Sequence, residues 1–170
     1  MNNDKSPEKQ ETPLAAKNDI VGDINKPFGD GKKVLIVEDD PTTSELLRTI
    51  LIERLFEVFQ AKDGKDAWDK IRPETKPDII ISDFLMPEMD GFQLLKGLKE
   101  NNTTKDIPII FLSARKNLED ALLVSGADAF LSKPHDTTIL LQTIKQCLIR
   151  KPLNKTTDSG EKSKEEKPKG

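Results

Sequence analysis

The sequence predicts an α/β domain, a doubly wound five-stranded parallel sheet with helices on both faces. Three observations predict it. Hydrophobic residues are concentrated: 50 of the 59 in the 170-residue chain fall in residues 33–150, with eight before and one after. Within that stretch, short apolar runs alternate with segments of helical apolar spacing, giving five strand–helix units. Turn and cap residues (Asp40-Pro41, Asp90-Gly91, Gly126) separate them. Strands buried on both faces read as unbroken apolar runs, and strand–helix alternation implies a parallel sheet covered on both sides.

Each element follows in turn. Val34-Leu35-Ile36-Val37, Ile79-Ile80-Ile81 and Ile107-Pro108-Ile109-Ile110-Phe111-Leu112 are the strong strands, while Glu57-Val58-Phe59-Gln60-Ala61 and Ala129-Phe130-Leu131 are the weaker ones. Asp40 before Pro41 reads as an N-cap with proline in the first turn, opening a helix with the stripe Leu47, Ile50, Leu51 and Leu55. Ala67, Trp68 and Ile71 mark a second helix, with Trp68 expected in the core. Leu94, Leu95 and Leu98 mark a third, started by Asp90-Gly91. Leu118, Ala121, Leu122 and Ser125 mark a fourth, closed by Gly126; Leu140, Leu141, Ile144, Cys147 and Leu148 mark the fifth. All show the i, i+3, i+4 recurrence of a helix with one buried face.

Residues 1–32 and 151–170 read as disordered polar tails, too poor in apolar residues to offset chain ordering. The domain at 33–150 carries 16 basic and 20 acidic residues. Its negative balance argues against direct nucleic-acid binding, which relies on phosphate neutralisation. The lone Cys147 permits no internal disulfide and no cysteine metal site, and its place on an apolar stripe suits a buried, inert thiol. No apolar run approaches the ~18–20 residues that span a bilayer, so no membrane insertion and a cytoplasmic setting are expected.

Right-handed crossovers restrict such a sheet to a few topologies. Ligands then bind beyond the carboxyl ends of the strands, where strand order reverses. The residues following the runs are Glu38-Asp39-Asp40, Ser82-Asp83, Ser113-Ala114 and Ser132-Lys133-Pro134. If strands one and three are neighbours, Glu38, Asp39 and Asp83 share one crevice. Clustered carboxylates are relieved by protonation or by a cation. Mg2+ suits a few carboxylates and keeps sites for water and phosphate oxygen, whereas the lack of His and Cys argues against zinc. Lys133 adds a positive charge and Ser113 a hydroxyl, so the rim suits a phosphoryl group, and a carboxylate of the cluster could serve as its covalent acceptor.

These motifs, with Asp83-Phe84-Leu85-Met86-Pro87-Glu88-Met89-Asp90-Gly91 between them, closely resemble the receiver domain of two-component response regulators, chemotaxis regulators included. The resemblance covers residues 33–150. It implies a flavodoxin-like (βα)5 fold with strand order 2-1-3-4-5. It also implies that Asp83 is phosphorylated by a histidine kinase or a histidine phosphotransfer protein. In it, Glu38, Asp39, Asp83 and the backbone carbonyl of Leu85 hold Mg2+. Lys133 and Ser113 contact the phosphoryl oxygens, Phe130 occupies the aromatic switch position, and the Lys133-Pro134 bond is cis.

The sequence departs from the family pattern in three places. The stretch from Ser113 to Phe130 is shorter than usual, Phe130 lacks the commoner tyrosine hydroxyl, and His135 replaces a common phenylalanine as an expected exposed loop imidazole. The expected function is a single-domain regulator without enzymatic activity beyond its own phosphoryl transfer and autodephosphorylation. Its output would be protein contact through the fourth and fifth helices, where surplus apolar Leu122-Leu123-Val124 suits a partner or a homodimer. Two rivals differ in chemistry. A receiver-like scaffold would never be phosphorylated, and an aspartate-nucleophile Mg-dependent phosphatase would need a general acid where this chain has Leu85.

Overall fold

The computed structural model describes residues 23–149. Within them the strands are β1 (Lys33–Val37), β2 (Glu57–Ala61), β3 (Ile79–Asp83), β4 (Ile109–Ser113) and β5 (Ala129–Ser132). The helices are α1 (Pro41–Ile52), α2 (Gly64–Lys70), α3 (Gly91–Glu100), α4 (Glu119–Val124) and α5 (Thr137–Ile149), with 3-10 turns at Pro73–Thr75 and Lys116–Leu118. All pairings are parallel and the order is β2-β1-β3-β4-β5. Crossing from β2 past β1 to β3 reverses the direction of winding and leaves the crevice at the carboxyl ends of β1 and β3.

Strand alternation explains the unbroken apolar runs. Val34, Ile36, Ile79, Ile81, Ile110 and Leu112 face α1 and α5, where Leu47, Leu51, Leu141 and Ile144 cover them. Leu35, Val37, Ile80, Ile109 and Phe111 point the other way, under Ala67 of α2, Leu94 and Leu98 of α3 and Leu122 of α4. The edge strand β2 is only part-buried, which is why its pattern was the weaker one. Asp40 accepts from the Thr43 amide at 2.8 Å and caps α1. Asp90 and Gln93 exchange reciprocal bonds of 2.9 and 3.1 Å at the start of α3. Cys147 is buried among the helix–sheet contacts, as its stripe implies. No described helix is long and apolar enough to cross a membrane.

Several expectations need correction. Leu55 leaves the α1 stripe: the chain turns at φ 65° there, its side chain is 59% exposed, and Phe56 takes the core place. Trp68 is not core filler. It lies at the surface with its ring over Gly97 of α3, where a Cβ would stand 3.5 Å from it. Of the α4 stripe only Leu122 is buried, because the helix has just six residues and follows a 3-10 turn. Gly126 ends it in the left-handed region at φ 102°.

The largest correction concerns the polar segment expected to be tail through residue 32. Residues 23–32 are packed against the domain. Ile24 is 8% exposed in the α1–α5 core and its carbonyl accepts from Arg54 Nε at 3.1 Å. The amides of Phe28 and Gly29 donate to the Arg54 carbonyl at 3.2 and 2.7 Å, and Gly31 donates to Leu55 at 2.9 Å. The Phe28 ring meets Phe56 edge-on at 5.3 Å, with Lys145 Nζ 5.2 Å from its centroid. Two isolated apolar residues suffice because the seam at the end of α1 is already apolar, a fact no local window contains. The remaining tail residues, 1–22 and 151–170, lie outside the described residues. Ile24→Ala is expected to lower stability by about 2–3 kcal/mol while leaving the fold intact, as read by urea unfolding.

Candidate functional site

Glu38 follows β1 directly, and its amide donates to the Ala61 carbonyl of β2 at 3.0 Å. That bond aims its side chain into the crevice, where it is buried. Asp39 lies beside it at the exposed rim, and Asp83 ends β3 half-buried. One carboxylate oxygen from each of the three lies within 4.8 Å of the others. The neighbouring Asp40 turns away to cap α1. The sequence-predicted acids Glu38, Asp39 and Asp83 are therefore brought together, and the fourth acid has the structural role its proline neighbour implied.

Lys133, at the end of β5, reaches across β4 to join them. Its Nζ donates to Asp83 Oδ2 at 2.7 Å and to Glu38 Oε2 at 2.9 Å. The Lys133 amide donates to the Ser113 carbonyl at 2.9 Å, and the Lys133-Pro134 bond is cis. Burial disfavours the ammonium, yet its bonds to Asp83 and Glu38 outweigh this and raise its pKa. For Glu38 the balance goes the other way. Burial raises its pKa, and the opposing pull of Lys133 does not restore the usual value.

Asp83 is also held by backbone. The amides of Phe84 and Leu85 donate to its Oδ1 at 2.5 and 3.2 Å, so its two oxygens have separate partners. Sequence reasoning missed this clamp, because backbone amides carry no side-chain signature. Leu85 itself is 45% exposed, an apolar group at the position where a general acid would be required by the phosphatase alternative. Ser113 is buried at the end of β4, and its Oγ accepts from the Arg115 amide at 3.1 Å, which leaves its hydroxyl proton to donate. Phe130 pairs in register with Phe111 and is buried, its ring inward. His135 is part-buried rather than exposed; its Nδ1 is buried without a partner among the described residues, and burial, then Lys133, lowers its pKa.

The donor set is all oxygen and anionic, with one ammonium and no described histidine or cysteine among it. This fits a small hard divalent cation such as Mg2+. An open groove of about 410 Å³ leads from Glu38 and Asp39 past Ser44, Gln60 and Lys62, so the acids are accessible from the side of α1 and α2.

Comparison with known proteins agrees with this geometry. Residues 34–145 match the response regulator receiver domain family. Response regulator Rre1 of a Synechocystis strain is 34% identical over 76% of this chain, and the match spans 56% of that protein. Protein PilG of Pseudomonas aeruginosa is 37% identical over 68% of this chain and 87% of its own length. The structure of the chemotaxis response regulator CheY4 of Vibrio cholerae superposes with a TM-score of 0.64 at 30% identity, covering 69% of this chain and 98% of that one. The three carboxylates of its acid crevice could hold a metal ion, and the chain belongs to the response regulator receiver domain family of two-component systems.

Proposed function

We propose that this protein accepts a phosphoryl group on Asp83 from a histidine kinase or histidine phosphotransfer protein and signals by protein contact. The observation that carries the reading is Lys133, which bonds Asp83 and Glu38 together at the rim of the acid crevice. A phosphoryl group arriving at Asp83 would find an ammonium and a serine hydroxyl for its oxygens, while two backbone amides hold the accepting carboxylate.

Glu38, Asp39, Asp83 and the Leu85 carbonyl would hold Mg2+, which supplies neutralisation of phosphoryl and carboxylate charge when bound. The residues perform the rest. An Asp83 carboxylate oxygen attacks phosphorus, the bond from phosphorus to the donor imidazole nitrogen breaks, and the electron pair stays on that nitrogen. Lys133 follows the charge from carboxylate to phosphoryl oxygen, and Ser113 donates its hydroxyl proton to another. Such transfer rests on positioning and charge neutralisation, so no further acid or base is needed. With Leu85 apolar, nothing at that position protonates a leaving alcohol, and phosphate-ester turnover is not part of the reading.

Output would pass through the short α4, β5 and α5, where Leu123 and Val124 are 40% and 89% exposed and Ile139 is 44% exposed. Ser113 and Phe130 sit on the strands beneath, so a shift of the serine toward the phosphoryl group would reach that face through the aromatic ring. The exposed apolar residues suit a downstream protein or a second copy.

Incubation with Mg2+ and acetyl phosphate, followed by intact mass measurement, is expected to add one phosphoryl group, absent in Asp83→Asn; an unmodified mass in the parent chain would refute the reading. Without divalent cation, Asp39→Asn is expected to raise the melting temperature by a few degrees (roughly 4 °C per kcal/mol at this size), because a like charge leaves the cluster. With millimolar Mg2+ the order is expected to reverse, since only the parent keeps the full donor set. Leu123→Asp is expected to keep the fold and weaken partner or self-association on sedimentation; unchanged association would remove α4 from the output face.

A further inference from the structure

Resting on the reading of Asp83 as phosphoacceptor, we propose that Gly91 and Phe84 are positioning residues that hold the Asp83 carboxylate at its angle of attack. In sequence, Asp90-Gly91 is a turn and helix start, for which glycine's conformational freedom would be the usual reason. Here it is not the reason: the φ of Gly91 lies outside the left-handed region, and the positive-φ glycines among the described residues are Gly31 and Gly126. What Gly91 supplies is space. A Cβ there would stand 2.7 Å from Cδ2 of Phe84, 2.8 Å from Cε1 of Phe111 and 3.2 Å from the Phe84 Cα.

Phe84 has nowhere to move. It is 6% exposed, with Phe92 edge-on at 5.2 Å and Phe111 at 6.3 Å. Its carbonyl accepts from the Gly91 amide at 3.0 Å, which cinches the loop 84–91 at its neck. Its own amide is shared between the Leu112 carbonyl at 3.3 Å and Asp83 Oδ1 at 2.5 Å. A side chain at 91 therefore pushes on the residue whose amide fixes one oxygen of Asp83, while Lys133 holds the other at 2.7 Å. The aromatic packing under the loop and the orientation of the acid are mechanically one unit.

The test compares Gly91→Ala with Gly97→Ala in the full chain. Gly97 is also a glycine of α3, but a Cβ there makes only ordinary contact with Trp68 at 3.5 Å. Two quantities are read: the rate of phosphoryl uptake from acetyl phosphate with Mg2+, by intact mass, and the NMR resonance of the Phe84 amide proton, which reports its bond to the carboxylate. In Gly91→Ala uptake is expected to slow by roughly ten- to a hundredfold, as small misplacements of reacting groups do, and the Phe84 resonance to move upfield in an otherwise folded spectrum. Gly97→Ala is expected to change neither.

Should Gly91→Ala not fold, Phe84→Leu asks the same question without crowding the backbone: slower uptake and a shifted resonance at position 84 support the role. Normal uptake with an unmoved resonance, in whichever variant folds, overturns it, even if stability falls. If the parent chain takes up no phosphoryl group, it is the Asp83 reading that fails; the position-84 resonance still decides whether Gly91 holds the carboxylate.

Discussion

The ammonium of Lys133 ties together the ends of three strands. Its partners Glu38 and Asp83 lie 95 and 50 residues away in sequence, so the contact exists only if β5, β3 and β1 are laid down in the observed order. Glu38 is nearly fully buried, and a buried carboxylate without a counter-charge is costly. Placing the lysine directly after a strand end makes the ion pair a consequence of sheet assembly rather than of flexible side-chain search. The same pairing gives the site its chemistry, because a group held between two carboxylates is already where a transferred phosphoryl charge would sit.

Three consecutive acids show how environment divides one residue type among different tasks. Glu38 is carried inward by the β1–β2 hydrogen bond, and burial raises its pKa. Asp39 faces the open groove. Asp40, bonded by the Thr43 hydroxyl and amide, has a lowered pKa and serves the helix start. Each depends on which way the backbone turns after a buried strand. The β3 loop repeats the pattern: Asp83 serves the crevice, while Asp90 caps the helix that closes the loop behind it.

The two poles of the domain are held differently. At the carboxyl ends of the strands, charge and hydrogen bonds dominate and apolar packing supports them from below through Phe84, Phe92 and Phe111. At the opposite pole, the segment before β1 seals the end of α1 with Ile24 and Phe28. This division leaves the acid crevice free to change charge while the apolar base stays closed.

Much of this was legible in the sequence because it is local. Unbroken apolar runs signal strands buried on both faces, and the acids and lysine that follow them mark the crevice rim, since strand ends point there in any parallel sheet. Asp40 and Asp90 were legible as caps because capping acts within four residues. What the tertiary structure alone decided depends on non-local contact. Ile24 and Phe28 lie in a polar stretch and become core only against α1 and α5. Trp68 has the spacing of a core residue yet lies over α3, and Leu55 lost its place when the chain turned. Local patterning determined which side chains want burial and where charge gathers; packing between distant segments decided which burial is available and how far apart the charges stand, because those distances are set by neighbours the local sequence does not contain.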